Sequence, residues 1–243
     1  MRIVVVIQAR MGSTRLPGKV LKDLGGDTVL GRVVSRVRRC RLVNDLVVAT
    51  STAPADDVIL HECSRLEIRS FRGSEQDVLD RYYLAAREAQ AEAVVRITSD
   101  CPLIDPGVSD KTIQAFLDVG PDYASNVLER TYPRGLDTEI VTIAALECAW
   151  RDAREAYQRE HVTPFVYEHP ERFRLLSVKG DHDYSQYRWT LDTPEDLEFI
   201  RAVYARSEDG QGLGWKDVLN MVESEPHLAE LNRHIIQKAL HER

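Results

Sequence analysis

The sequence lacks the features that mark several classes of protein. Its four cysteines are widely spaced in 243 residues and form no Cys-x-x-Cys pair, so neither a disulfide framework nor a zinc site is predicted. No apolar run approaches the roughly 18 residues that a membrane-spanning helix needs. The apolar run from Ile3 to Ile7 is too short for the core of a signal peptide. We therefore expect a cytoplasmic protein that makes no contact with a membrane.

Charge of one sign is scarce at the start of the chain. The net charge is −7, yet residues 1–41 carry ten Lys or Arg against two Asp, so this segment is +8 and the remainder −15. An acidic protein with one basic segment is not expected to bind nucleic acid. A local basic site for a small polyanion fits better. With 43% hydrophobic and 29% charged residues, the composition is that of an ordinary globular protein.

Strand and helix patterns alternate through the first half of the chain. Strands are predicted at Ile3 to Ile7, Val43 to Ala49, Ile68 to Phe71 and Ala93 to Thr98. Helices are predicted at Val29 to Val37, from Pro54, from an N-cap at Ser74 to about Gln90, and at Pro106 to Leu117. Repeated β-loop-α units favour a three-layer α/β/α sandwich with a Rossmann-like, mostly parallel (mixed) sheet. Ligands bind at the carboxyl ends of such strands, so the loops starting at Gln8 and Ser99 are the first candidates.

The pattern changes after Pro121. Further strands are predicted at Tyr123 to Val127, Leu136 to Ile143, Phe173 to Val178 and Tyr187 to Leu191. Further helices are predicted at Ala144 to Arg154, Gln158 to Tyr167, Pro194 to Arg206, and as a pair within Trp215 to Glu242. No long linker separates the two halves. We therefore predict a single domain over 1–243, with a subregion at 125–180 and a C-terminal helical extension at 207–243.

A basic loop leaves the first predicted strand. It runs from Gln8 to Lys19 and contains no carboxylate; its cations and glycines are Arg10, Arg15, Lys19, Gly12 and Gly18. Backbone N–H groups in such a loop can cradle phosphate oxygens, and arginine and lysine add charge-assisted hydrogen bonds. Clustered cations repel one another unless an anion joins them. A phosphate site is therefore favoured over a solvated basic loop.

This loop matches neither of two common nucleotide-binding motifs. Five residues separate Gly12 from Gly18, and Val20 follows Lys19, so the P-loop pattern is absent. No G-x-G-x-x-G follows the strand either. The glycine-rich segment from Gly210 to Gly214 follows no apolar strand and is interpreted as a turn.

Two aspartates stand at the ends of predicted strands. Asp100 follows the strand that ends at Thr98, and Asp192 follows the strand that ends at Leu191. Such carboxylates can hold Mg²⁺, although Asp100 could instead bond its own turn. The cap of the next helix accounts for its first residues without needing Asp192. A cationic loop with two such aspartates is the set that a Mg²⁺-nucleoside triphosphate requires.

The basic loop resembles the A-R-x-x-S-x-R-L-P-G-K signature of the CTP-dependent sugar cytidylyltransferases, which include the acylneuraminate and Kdo (CMP-sugar) synthetases. Five more strings, in order within residues 2–205, are similar to the SpsF-type branch of spore-coat polysaccharide biosynthesis: Phe71 to Arg81, Arg96 to Leu103, Tyr132 to Asp137, Arg159 to Pro164 and Arg188 to Glu195. Gln8 stands where CMP-sugar synthetases usually have Pro, which the SpsF-type branch tolerates. The resemblance implies a fold like that of the nucleotide-diphospho-sugar transferases.

The resemblance also implies roles for individual residues. Arg15, Lys19, Asp100 and Asp192 would be catalytic, and the two aspartates would ligate Mg²⁺. The nucleotide would be bound by Gln8, Ala9, Arg10, Gly12, Ser13, Arg15, Lys19, Arg72, Asp77, Arg81 and Ser99. The acceptor sugar would be bound by Arg134, Asp137, Glu160 and His161. The subregion at 125–180 would form a homodimer face and complete the neighbour's site.

Several of these residues also have simpler interpretations. Arg81 and Asp77 could form an ordinary ion pair on one helix face. Arg134 and Gly135 could make a turn, and His161 could be a helix residue with no role in binding. These assignments therefore rank below those of the basic loop and the two aspartates.

The implied reaction is attack of a sugar-acid hydroxyl, ulosonic acid-like, on the α-phosphorus of CTP, with release of pyrophosphate, in surface polysaccharide biosynthesis. No protein nucleophile is required, because positioning and charge neutralisation can supply the catalysis. A nucleotide-sugar glycosyltransferase is one alternative, but no Asp-x-Asp follows Val94. A nucleotide-binding module without activity and a transferase for another nucleoside triphosphate are the others.

Overall fold

In a computed structural model that describes residues 1–207 and 212–238, the first half of the chain alternates strand and helix. Its strands are β1 Ile3–Gln8, β2 Asp45–Ser51, β3 Arg69–Gly73 and β4 Ala93–Thr98. Its helices are α1 Val29–Val37, α2 Asp57–Arg65, α3 Val78–Glu88 and α4 Pro106–Val119. Each element except α2, which follows a short 3₁₀ turn at Pro54–Asp56, begins within three or four residues of its predicted start.

The elements of the second half are shorter. Its strands are β5 Tyr123–Ser125, β6 Glu139–Thr142 and β7 Leu175–Ser177. Its helices are α5 Ile143–Asp152, α6 Ala156–His161, α7 Pro164–Tyr167, α8 Pro194–Ala205, α9 Trp215–Ser224 and α10 Pro226–Glu230. Parts of the predicted glycine-rich turn and of the C-terminal helical pair, residues 208–211 and 239–243, lie outside the described residues. None of the described helices is long and apolar enough to cross a lipid bilayer.

All seven strands form one sheet in the order β3-β2-β1-β4-β6-β5-β7. Strand β1 lies between β2 and β4 and is parallel to both, with Val5 opposite Leu46 and Val95. Only β6 among these strands is antiparallel to its neighbours. The prediction of a mostly parallel, mixed sheet is confirmed. The assignment of 125–180 to acceptor binding and dimerisation stays a prediction.

Side chains that alternate along β1 divide the core into two layers. Val4 and Val6 pack in a cluster with α3, α5 and α7 on one face of the sheet. Ile3, Val5 and Ile7 pack in a second cluster with α1, α2 and α4 on the other face. Because successive residues of a strand point to opposite faces, a run of apolar residues without polar interruption is what a strand covered on both sides requires. The three-layer sandwich is thus confirmed.

A third apolar cluster lies outside these two layers. It joins the basic loop and the segment after β4 to α8, α9 and α10, through Leu16, Leu103, Trp189 and Leu228 among others. The C-terminal helices therefore pack against the segments that carry the candidate site. This packing sets the position of residues 187–192, which contain one of the two predicted metal ligands.

The start of α3 differs from the prediction. Ser74 is not the N-cap: its hydroxyl accepts a hydrogen bond from the backbone N–H of Asp77, and the helix begins three residues later. Asp77 is the cap, because its carboxylate accepts the backbone N–H of Asp80. Ser and Asp are both favoured caps, so composition alone does not choose between the two positions.

Two other elements also differ from their predictions. The helix predicted at Gln158 to Tyr167 is divided into α6 and α7 by Val162, whose φ of 76° is outside the helical region. The segment from Tyr187 to Leu191 is not a strand; its one sheet-like contact is an isolated bridge between Arg188 and Arg134. The apolar residues of that segment are buried in the third cluster. Burial outside the sheet gave them a strand-like pattern.

Candidate active site

The basic loop folds back on itself at the carboxyl end of β1. The backbone N–H groups of Ser13 and Gly18 both donate to the carbonyl of Met11, at 2.9 and 3.1 Å. Gly18 has a φ of 66°, in the left-handed region where glycine carries no steric cost, and leads into a 3₁₀ turn at Lys19–Leu21. The loop is also tied to α2, because the Met11 N–H donates to Asp56 at 2.7 Å. The cations of the loop thus have a fixed backbone beneath them.

Lys19 joins the two strand-end aspartates. Its ammonium lies 2.8 Å from Asp100 Oδ2 and 2.9 Å from Asp192 Oδ1, and it also donates to the carbonyl of Leu191 at 2.8 Å. The side chain is only 12% exposed. Burial lowers the pKa of Lys19, but the two carboxylates raise it more, so the pKa lies above its ordinary value of 10.5. Lys19 is therefore a fully charged, fully bonded cation.

The two aspartates are not equivalent. Both oxygens of Asp192 are engaged, because Oδ2 accepts from Arg188 at 2.9 Å and lies 3.2 Å from Arg15 Nη2. Asp100 gives Oδ2 to Lys19, while its Oδ1 has only the weak thiol donor of Cys101 at 3.7 Å. Burial raises the pKa of Asp100, but the ion pair with Lys19 outweighs burial and holds the pKa below its usual range. Asp100 is therefore the carboxylate with coordinating capacity to spare.

Arg188 and Asp196 hold Asp192 from behind. Asp196 is completely buried, and its carboxylate accepts two hydrogen bonds from Arg188 and one from the backbone N–H of Asp192, all at 2.9 Å. Thr193 caps α8 as predicted, accepting from the Asp196 N–H. The sequence pattern explained Asp196 as part of that cap and missed this second role. Its complete burial, which no local pattern reveals, is the distinguishing feature.

The other predicted nucleotide-binding residues line the same edge of the sheet. Gln8 ends β1, and its side-chain Oε1 is buried with no hydrogen-bond partner among the described residues. Ala9 and Ser99 follow β1 and β4; the backbone N–H of Ser99 donates to the carbonyl of Gln8 at 3.1 Å. Arg72 ends near α2, where it bonds the carbonyl of Ser51 at 3.0 Å and pairs with Asp57 at 2.8 Å. Gly12 has open space where a Cβ would stand.

The alternative of an ion pair between Arg81 and Asp77 is wrong. Arg81 is completely buried and donates from Nη1 to the carbonyl of Ser74 at 2.8 Å. Asp77 instead pairs with Arg159 of α6, which donates to it from Nε at 2.9 Å. The cap of α3 is thus fastened to the helix that carries two of the predicted acceptor residues.

The predicted acceptor residues lie on two separate segments. Asp137 is bound through both oxygens by Arg130, at 2.5 and 2.8 Å. Glu160, on α6, lies 3.7 Å from Arg10 of the basic loop, with both side chains more than 40% exposed. His161 follows Glu160 at the end of the same helix. The structure therefore joins Glu160 to the nucleotide side, while Asp137 has its own local partner.

Arg134 differs from every other predicted cation of the site. Its backbone is fixed by hydrogen bonds to Tyr187 and Trp189, but no hydrogen bond or ion pair joins its guanidinium to any residue in the described part of the chain. Burial and the neighbouring Arg130 lower the pKa of Arg134, while Asp137 and Asp192 raise it less. It is a partly desolvated cation in electrostatic reach of Asp192. An anionic ligand would stabilise it.

The chemistry of the donor set fits a divalent cation only in part. No cluster of three or more His, Cys, Asp or Glu placed to hold a metal occurs in residues 1–207 and 212–238. Two carboxylates do converge, because both bond the same ammonium group. Mg²⁺ commonly binds proteins through one or two carboxylates and completes its shell with waters and phosphate oxygens. Asp100 and Asp192 therefore fit an ion that arrives with a nucleotide.

Comparison with known proteins identifies the family. The family model described as cytidylyltransferase matches residues 4–224. The spore coat polysaccharide biosynthesis protein SpsF of Bacillus subtilis is 36% identical over 234 residues, which cover 93% of this chain and 96% of that protein. The 3-deoxy-manno-octulosonate cytidylyltransferase of Trichlorobacter lovleyi is 38% identical over 117 residues, 48% of this chain and 46% of that one.

A solved structure also resembles the whole fold. The structure of a cytidylyltransferase from Leptospira borgpetersenii aligns with a TM-score of 0.91 at 32% identity, and the alignment covers 98% of this chain and 100% of the other. The comparisons favour nucleotidyl transfer over the glycosyltransferase and binding-module alternatives. The chain belongs to the cytidylyltransferase family, in its SpsF-type branch, and is a CTP-dependent nucleotidyltransferase.

Proposed function

We propose that the enzyme uses Mg²⁺ to transfer CMP from CTP to a hydroxyl group of a sugar acid of the ulosonic type, with release of pyrophosphate. The observation that carries this proposal is the convergence of Lys19 with Asp100 and Asp192, at 2.8 and 2.9 Å, from segments 81 and 173 residues apart. The convergence lies at the carboxyl edge of a parallel sheet, where ligands bind in this class of fold.

The basic loop would bind the triphosphate. Lys19 carries a compact charge on a flexible stem, so it can exchange carboxylate oxygens for phosphate oxygens as the nucleotide enters. Arg15 lies 3.2 Å from Asp192 and would follow the same exchange. Arg10, Gly12 and Ser13 would contribute the guanidinium and backbone N–H groups around the leaving pyrophosphate. These cations would stabilise the charge that develops as the bond to the α-phosphorus breaks.

Asp100 and Asp192 would hold Mg²⁺. When bound, the ion would neutralise phosphate charge and lower the pKa of the attacking hydroxyl. The free Oδ1 of Asp100 makes that residue the first ligand. Asp192 would give up one of its cationic partners to become the second. Arg188 and the buried Asp196 would keep Asp192 in place during that exchange.

The base and the acceptor would occupy opposite sides of this cluster. Cytosine and its ribose would lie towards Gln8, Arg72, Asp77, Arg81 and Ser99. The carboxylate of the acceptor would pair with Arg134, whose guanidinium lacks a partner in the described residues. Asp137, Glu160 and His161 would contact its hydroxyl groups. The SpsF relative is named for polysaccharide biosynthesis, and we propose a role in making surface polysaccharide.

A homodimer in the cytoplasm is also part of this proposal. An open groove lies within the subregion at 125–180 and is lined by Trp150, Arg151, Arg154 and Arg159, with Asp80 at its rim. Such a basic surface on an acidic chain suits an interface. Sedimentation of the purified protein should give about twice the mass of one chain; a monomer at all concentrations would remove the dimer and leave the reaction untouched.

The reaction is tested by pyrophosphate release. The enzyme is incubated with Mg²⁺, one of the four common nucleoside triphosphates, and 3-deoxy-manno-octulosonate or N-acetylneuraminate. We expect release with CTP and a sugar acid, and none with a neutral hexose. Release with several triphosphates would keep the transferase and remove the base preference. No release with any acid would contradict the acceptor class.

A further inference from the structure

We propose that the C-terminal segment from α10 to Lys238 is part of the active-site scaffold, with Asn232 and Gln237 as positioning residues for Arg188. This inference rests on the proposed role of Asp192. The segment contains no group that reaches the nucleotide loop directly. It acts through the arginine that lies between it and Asp192.

The first contact is made by a buried side chain. Asn232 is only 3% exposed, and its amide Nδ2 donates to the carbonyl of Arg188 and to Asp196 Oδ1, both at 2.9 Å. The preceding helix holds it there, since Leu228 is buried in the third apolar cluster. A buried amide that donates two hydrogen bonds is costly to disturb. One of its acceptors is the backbone of Arg188, so the position of that residue depends on it.

The second contact completes the guanidinium of Arg188. Its Nε and Nη2 bond Asp196, and Nη2 also bonds Asp192 Oδ2. The remaining nitrogen, Nη1, donates to Gln237 Oε1 at 2.6 Å. All three nitrogens of the fork are therefore engaged, two by the α8 region and one by the C-terminal segment. A planar guanidinium with three fixed nitrogens cannot rotate.

The orientation of Asp192 follows from this arrangement. Arg188 holds Oδ2, and Asp196 holds the backbone N–H of Asp192 at 2.9 Å, which leaves Oδ1 directed at Lys19. If Arg188 turned away, Oδ2 would lose a strong partner and the carboxylate would be free to rotate towards Arg15. Groups that orient a ligating carboxylate commonly contribute about 10- to 100-fold to metal affinity or activity. The C-terminal segment would supply part of that effect.

The test uses variants that differ in burial. Gln237→Ala removes an acceptor on an exposed side chain, so the fold should persist, whereas Asn232→Leu removes both buried bonds at similar volume. We expect about a 10-fold lower kcat for Gln237→Ala and a larger loss for Asn232→Leu, with the KM for CTP changed much less. Gln237→Glu keeps an oxygen acceptor for Arg188 and should restore kcat. Arg233→Ala, which removes only an exposed pair with Glu230, is the matched control and should match the wild type.

Amide hydrogen exchange provides a readout that needs no substrate. The N–H groups of Asp192 and Thr193 both donate to Asp196. We expect faster exchange at these amides in Asn232→Leu and wild-type exchange in Arg233→Ala. A wild-type enzyme without CTP turnover would contradict the proposed function alone, because exchange still tests the scaffold. Wild-type turnover with unchanged kcat in both Gln237→Ala and Asn232→Leu would overturn this inference alone.

Discussion

The nucleotide side and the acceptor side of the site hold their charges in different ways. On the nucleotide side, Lys19 bridges Asp100 and Asp192, which come from distant parts of the chain and are mostly buried. On the acceptor side, Arg130 pairs with Asp137 only seven residues away, and Arg134 has no ionic partner among the residues described. One side is charge-balanced before any ligand arrives, and the other is not.

This difference indicates how specificity is divided. Charges fixed in advance stabilise a transition state without reorganisation, which suits the step common to all substrates of the family. An unpaired, partly desolvated cation gains most from the one ligand that brings a matching anion. The nucleotide side would therefore set the reaction, and the acceptor side would select the sugar.

The largest expected effect comes from breaking the balanced side. Lys19→Ala leaves two facing carboxylates without their shared cation and removes a charge that would otherwise stabilise the leaving pyrophosphate. We expect turnover to fall at least about 100-fold, measured as pyrophosphate release from CTP. Lys22→Ala, three residues along the same segment, should keep full activity. Activity of Lys19→Ala or Asp100→Ala within a few-fold of the wild type, with the fold intact, would remove these residues from the catalytic centre.

The next effect distinguishes two neighbouring arginines on the acceptor side. Arg134→Gln should raise the KM for the sugar acid about 10-fold or more, since hydrogen bonds to charged groups are worth about 1.5–3 kcal/mol, and should leave the KM for CTP unchanged. It should not lower the unfolding midpoint, because the lost cation has no partner. Arg130→Gln should lower the midpoint instead, since it strands Asp137. The reverse assignment of the two effects would contradict the contrast between the sides.

The ion pair of the balanced side should also appear in the pH dependence of stability. The pKa of Asp100 is depressed, so its contribution is complete above its ordinary value of about 4 and is lost as pH falls through the depressed value. The cost of Lys19→Met should therefore be about 3 kcal/mol at neutral pH and shrink in acid. Urea unfolding of both proteins from pH 7 to about pH 3 measures it. A cost that is constant over this range would show that the pair does not stabilise the fold.

The smallest effect is expected at the contact between the two sides. Arg10 and Glu160 form an exposed pair at 3.7 Å, and exposed pairs contribute at most about 1 kcal/mol. Glu160→Gln should therefore leave the free energy of unfolding nearly unchanged and act only on the KM for the acceptor. A loss well above 1 kcal/mol in urea unfolding would mean that this contact holds α6 against the loop.

The same division describes what the sequence could predict. The bounds of α1 and β4 were predicted to the residue, because a buried parallel strand and an amphipathic helix carry strong local patterns. The meeting of Lys19 with Asp100 and Asp192 follows from one rule, that parallel strands end at the same edge. No local pattern could place Asn232 beside Arg188, since that contact depends on the path of the chain after α9. The break at Val162 was equally hidden, because its backbone conformation is unfavourable for a β-branched residue.

The most direct measurement of the central claim is thermal unfolding with Mg²⁺ and, in turn, CTP, UTP, GTP and ATP, for the wild type and Lys19→Ala. A ligand at 100 times its dissociation constant stabilises by about 2.7 kcal/mol, which for a chain of this size raises the midpoint by roughly 5 to 10 °C. We predict such a rise with CTP alone in the wild type and none in Lys19→Ala. No rise with any triphosphate, or an equal rise in both proteins, would contradict a CTP site built around Lys19, Asp100 and Asp192.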